Sequence, residues 1–193
     1  MNKLAQGLRQ LDYHTNNYSY PSRRYSLATQ AEYLATHIRT HFSQPVSIVA
    51  HSMGGLVLRH LAATNPELIK QAVTISTPHQ GSHLARYLKQ TRWRWILGEG
   101  FEQGLDGKLP DWPSHIPLAG IAGSHPVGLG RLFVHFDEPN DGTVRVSEAY
   151  LSSMKDRCVL PYSHTGILFA KEVPIQISRF FRLGCFSGAQ QPI

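Results

Sequence analysis

The chain has 193 residues, 41% of them hydrophobic and 17% charged, with 16 Gly and 12 Pro; this composition excludes a disordered or collagen-like chain. No run approaches the roughly 18 consecutive apolar residues of a membrane span, and the length predicts one domain, 1–193, around a single core. Nineteen Lys and Arg against 13 Asp and Glu leave a net charge of +6, but the cations are scattered and no nucleic-acid-binding motif accompanies them, so no nucleic-acid partner is expected.

Leu4, Leu8 and Leu11 recur at helical spacing, which predicts a helix at the start of the chain. The partial alternation over 13–20 reads as a short strand ending at Pro21, and Ser26 is placed to cap a helix over 27–42. After Pro45, the β-branched run Val46-Ser47-Ile48-Val49-Ala50 suits a buried parallel strand, and Leu56, Val57, Leu58, Leu61 and Ala62 follow as a helix. Further strands are expected at 72–76 and 117–122.

The intervening segment, 83–116, is aromatic and irregular, with Trp93, Trp95, Phe101 and Trp112, and reads as a lid-like insertion over one end of the sheet. A last strand is expected at 158–161, and a closing amphipathic helix over 167–181 that Pro174 interrupts or restarts. Strands alternating with helices predict an α/β fold with a mostly parallel sheet and helices on both faces.

The sharpest chemical signal is Ala50-His51-Ser52-Met53-Gly54-Gly55, lying between a predicted buried strand and a helix. A serine at such a turn is forced toward unfavourable backbone angles, and only small residues fit two positions either side of it, as Ala50 and Gly54 do. The following helix supplies a positive N-terminal dipole and the Met53 N–H, a candidate oxyanion donor. A serine hydroxyl needs a base, and the base needs an orienting group.

Downstream, Asp141 lies in Asn140-Asp141-Gly142-Thr143-Val144 and His164 in Ser163-His164-Thr165-Gly166. The order Ser, Asp, His is the one α/β-hydrolases use. Asp137 competes for the acid role, and the exposed turn that Gly142 permits favours Asp141. Among 11 histidines, His51 adjoins the serine, where the elbow turns it away or leaves it supporting the turn.

His79 and His83 have i, i+4 spacing, but Gln80-Gly81-Ser82 between them reads as a loop and no H-E-x-x-H pattern is present, so no metal site is expected. Cys158 and Cys185 lack metal-ligand spacing and are too few for a disulfide framework. No nucleotide-binding or other cofactor motif is present, and no cofactor is expected. His51, His79, Trp93 and Trp95 are the candidate substrate-lining residues.

Four blocks, Val49-Ala50-His51-Ser52-Met53-Gly54-Gly55, Thr77-Pro78-His79-Gln80-Gly81-Ser82, Asn140-Asp141-Gly142-Thr143-Val144 and Ser163-His164-Thr165-Gly166, make the chain resemble a bacterial lipase/esterase of the α/β-hydrolase superfamily. The resemblance implies carboxylic-ester hydrolysis through Ser52, Asp141 and His164. It also implies a strand and a His-Gly oxyanion loop before the first helix, for which 1–5 leaves no room. We therefore expect a shortened chain or a misplaced start; loss of one oxyanion donor would cost about 10²- to 10³-fold in turnover.

Acyl transfer, thioester or amide cleavage, and an impaired remnant that only binds, remain alternatives. The Trp93 and Trp95 region, next to Arg86, Lys89, Arg92 and Arg94, reads equally as a membrane-surface lid or as packing. The sequence leaves the oligomeric state open. Residues 1–8 carry no apolar leader, so the chain as given is expected in the cytoplasm, with the location of a longer parent open.

Overall fold

The computed structural model describes residues 1–19, 25–91, 107, 109–128 and 136–186. In chain order these form α1 (Asn2–Arg9), α2 (Leu27–His41), β1 (Val46–His51), α3 (Met53–Thr64), β2 (Ile69–Ile75), α4 (His83–Lys89), β3 (Leu118–Gly123), β4 (Asp156–Leu160) and α5 (Glu172–Leu183). Among the described residues the sheet has four strands in the order β1-β2-β3-β4, every neighbouring pair parallel. The expected α/β architecture is therefore the observed one.

Strand side chains alternate between faces, so each strand feeds two cores. Ala72 of β2 and Leu118 of β3 pack with Leu27, Ala31, Ala35 and Ile38 of α2 and Leu58 and Leu61 of α3. Their neighbours Val73, Ile75, Ala119 and Ile121 point the other way and meet Leu4 and Leu8 of α1 and Val173, Ile177 and Phe180 of α5. Both faces being covered explains why these strands read as continuous apolar runs.

Local signals explain some element ends. The Ser26 side chain accepts the Thr29 N–H at 3.1 Å, capping α2, and Gly184, at φ 77°, terminates α5 in the left-handed conformation. The structure corrects one reading. Residues 13–19 form no strand: Asp12, at φ 66°, breaks the chain direction after α1, and the Tyr13 N–H returns to the Leu8 carbonyl. The Tyr13 ring then packs edge-on against Phe181, so this segment is held by helices rather than by a sheet edge.

Of the two roles expected for Pro174, interrupting or restarting the closing helix, the structure shows the restart. A separate 3₁₀ turn spans Gly166–Phe169, and α5 begins at Glu172. Pro174 thus lies in the first turn, where its missing N–H would have no helical partner. Of the 83–116 insertion, α4 and the buried Trp112 and Ile116 lie within the described part; 92–106 and 108, and with them Trp93 and Trp95, lie outside it.

Candidate active site

The carboxyl ends of all four strands open on one edge of the sheet, the edge where open α/β sheets bind ligands. β1 passes directly into α3 through Ser52, whose φ 53° and ψ −126° are angles a side chain rarely adopts. The Ser52 N–H donates to the Ile75 carbonyl at 2.9 Å, tying the turn to the end of β2. α3 can approach that closely only because Gly55 lacks a Cβ, which would collide with the Thr77 side chain. Met53 is the first residue of α3, so its N–H has no preceding helical turn to bond.

Asp141 sits in a tight loop closed by an antiparallel bridge between Asn140 and Arg145. Gly142 takes φ 90° there, and the Asn140 side chain accepts its N–H at 2.9 Å. Asp141 Oδ1 accepts the N–H groups of Thr143, at 3.0 Å, and Val144, at 2.8 Å. Gly123, at the end of β3, lets this loop rest on the sheet; a Cβ there would stand 2.8 Å from that of Asp141.

His164 lies in the loop after β4. Its backbone N–H donates to the Asp141 carbonyl at 2.9 Å, its Nδ1 is 2.8 Å from Asp141 Oδ2, and its Nε2 is 3.0 Å from Ser52 Oγ. The carboxylate is 1% exposed and the imidazole 14%, so the acid is sealed in while the ring edge reaches solvent. Burial pushes the Asp141 pKa upward, but the His164 bond and charge, the Val144 N–H and the Ser76 hydroxyl outweigh it and hold the value below the ordinary one. The competing Asp137 is 76% exposed and pairs with Arg145 at 2.9 Å, away from this cluster.

Ser52, Asp141 and His164 are thus brought together from positions 89 and 23 residues apart in the chain. His51 joins them: its Nε2 lies 2.9 Å from the His164 carbonyl and its ring 4.8 Å, centroid to centroid, from the His164 ring. Burial, and then the neighbouring His164, hold its pKa down at about 4.

His79 is not brought to the edge. It is 1% exposed, with Nε2 at 3.0 Å from Thr74 Oγ1, and its carbonyl accepts the Arg59 guanidinium at 2.8 Å. A residue so enclosed offers no surface to a substrate; burial and then Arg59 hold its pKa down at about 3.

Three neighbours of the site carried no sequence signal. Ser76, at φ 47° and 1% exposed, ends β2 with its hydroxyl beside the Asp141 carboxylate, outside ordinary hydrogen-bond geometry. Arg59, 4% exposed within the apolar α3, also donates to the Pro110 carbonyl at 2.9 Å, holding the returning end of the insertion. Glu148, 4% exposed, accepts the His83 N–H at the start of α4 and, at 3.1 Å, the Arg145 N–H of the acid loop. Burial raises its pKa against these donors. Only their burial and their partners in the fold reveal such residues.

A family model for the alpha/beta hydrolase fold matches residues 11–98. This is an α/β-hydrolase fold. The chain is similar to bacterial lipases: it is 43% identical over 115 residues to a triacylglycerol lipase of Pseudomonas fragi, covering 60% of this chain and 38% of that one. It is also 43% identical over 44 residues to a triacylglycerol lipase of Pseudarthrobacter phenanthrenivorans, covering 23% and 14% respectively. The matches span well under two thirds of these relatives.

Among solved structures, the mature lipase of Bacillus licheniformis superposes with TM-score 0.59 at 20% identity, covering 82% of this chain and 74% of that one. A pyrethroid hydrolase from Sphingobium faniae gives 0.57 at 11% identity, covering 94% and 91%. These likenesses establish the α/β-hydrolase fold. No helix among the described residues is long and apolar enough to cross a membrane.

Proposed function

We propose that this α/β-hydrolase cleaves carboxylic esters through an acyl-enzyme on Ser52. The observation that carries the reading is the unbroken hydrogen-bond chain from Asp141 Oδ2 through His164 to Ser52 Oγ, with steps of 2.8 and 3.0 Å, ending on a serine held at strained backbone angles. The similarity to triacylglycerol lipases, over part of their length, supports the same class of substrate.

In this mechanism Ser52 Oγ attacks the ester carbonyl carbon as its proton passes to His164 Nε2. The Met53 N–H stabilises the resulting oxyanion. The tetrahedral intermediate collapses, the alcohol leaves with the proton from Nε2, and the acyl group stays on Ser52. Water then gives a proton to Nε2 as it attacks the acyl carbon, and the carboxylic acid leaves as the proton returns to Ser52. Asp141 holds His164 with its proton on Nδ1 and stabilises the transient imidazolium.

The test is labelling with a fluorophosphonate probe, alongside turnover of short- and long-chain p-nitrophenyl esters. We expect one label, at Ser52, and none in a folded Ser52→Ala protein. A folded protein that neither takes the label nor hydrolyses any ester would overturn the reading.

A further inference from the structure

The Ser52–His164 hydrogen bond is broken and remade in every turn of the proposed cycle. The bonds of His164 to Asp141, through both its backbone N–H and its Nδ1, attach it to the acid loop alone. The loop carrying His164 lies between β4 and a 3₁₀ turn, and its Tyr162 carbonyl accepts the His125 N–H at 3.1 Å, which ties it to the segment after β3 but not to the strand that carries Ser52. Something that survives the reaction must keep the histidine loop in register with the nucleophile.

His51 meets that requirement. It is the last residue of β1, paired with Ile75 of β2, and directly precedes Ser52. The acceptor of its 2.9 Å bond is a carbonyl oxygen, so the proton must sit on His51 Nε2, which leaves Nδ1 bare in the neutral ring. The His164 backbone is therefore clamped twice, its N–H by Asp141 and its C=O by His51. The two rings also lie against each other, tilted by 47°.

We infer that His51 is a positioning residue: its Nε2–H ties the His164 loop to the strand that carries Ser52, and so sets the distance over which the serine proton moves. This rests on the proposed ester hydrolysis. His51 touches neither substrate nor the reacting atoms in this role, which differs from a place lining the substrate. Because the bond is the same before and after acyl transfer, its loss affects the chemical steps rather than substrate capture.

The test compares two side chains of similar reach. His51→Phe keeps a ring against His164 but has no donor, whereas His51→Gln keeps an N–H at nearly the distance of Nε2. For the Phe variant we expect kcat to fall about 10- to 100-fold with KM within about twofold of the parent, the loss typical of a misplaced catalytic group. The Gln variant should recover kcat to within about threefold of the parent.

A folded Phe variant with unchanged kcat overturns the inference, as does a Gln variant as slow as Phe. A rise in KM at constant kcat also overturns it, because His51 would then be touching substrate. If the Phe variant fails to fold, His51→Asn, whose amide is one methylene too short to reach the carbonyl, takes its place and should be slow where Gln is not. Phosphonylation of Ser52 in the parent separates the two claims: no labelling defeats the hydrolase reading, whereas equal labelling rates in parent and Phe variant defeat only the role of His51.

Discussion

Replacing Asp141 by Asn changes one atom and should invert the proton on His164. In the parent, Asp141 Oδ1 accepts two backbone N–H groups and Oδ2 one, from His164 Nδ1. An amide has a single oxygen. Turning it toward His164 would leave the Thr143 and Val144 N–H groups facing an NH₂, at a cost of about 1–3 kcal/mol each. The oxygen therefore stays with the backbone pair, and the NH₂ faces His164 Nδ1.

Two N–H groups cannot share that 2.8 Å gap, so the ring must carry its proton on Nε2 and accept at Nδ1. Nε2–H then points at Ser52 Oγ and can no longer take its proton. The same carboxylate-to-amide exchange in a serine-protease triad lowers kcat about 10⁴-fold, and a comparable loss is expected here in hydrolysis of a short p-nitrophenyl ester, with Ser52→Ala as the baseline. Nitrogen NMR of labelled histidine should show the proton moved from Nδ1 to Nε2. A variant retaining more than about a tenth of the parent kcat, or keeping the Nδ1 proton, would refute the reasoning.

The strain at Ser52 predicts a trade between stability and activity. Ser52→Gly removes the side chain from angles that suit glycine and should exceed Ser52→Ala in stability by about 1–2 kcal/mol, raising Tm by about 2–8 °C, with both inactive. Equal melting temperatures would show that the turn stores no strain. Acid stability should fall in two stages. His51 and His79 have folded pKa values of about 4 and 3 against the ordinary 6.5, so the unfolded chain binds more protons and stability declines as pH drops below 6.5.

The lowered pKa of Asp141 adds a contribution that is present above the ordinary value of 3.8 and lost as pH falls through the folded one. His79→Gln should reduce the slope of unfolding free energy between pH 6.5 and 4 by up to about 1.4 kcal/mol per pH unit. An unchanged slope in denaturant titrations would count against the buried neutral state of His79.

The strand-to-helix turn at Ser52 was legible because its constraints are local. A strand, a serine at positive φ and a helix in immediate succession demand small neighbours, and Ala50 and Gly54 supply them. The order and loop setting of Asp141 and His164 were legible for a similar reason, since both follow apolar segments and sit among turn-forming residues.

The sequence alone determined the alternation of strands and helices, because apolar periodicity records which faces must be buried, and it singled out the serine, acid and histidine. Only the tertiary structure decided that Asp141 rather than Asp137 meets His164, that 13–19 lie against helices rather than in the sheet, that Pro174 falls in the first turn of α5, and that His79 is enclosed while His51 reaches the His164 carbonyl. Each of these depends on a partner more than 20 residues distant or on which side of a packed element a segment falls. A hydrogen bond between two loops leaves no periodicity along the chain; it exists only once the sheet has brought the ends of its strands to one edge.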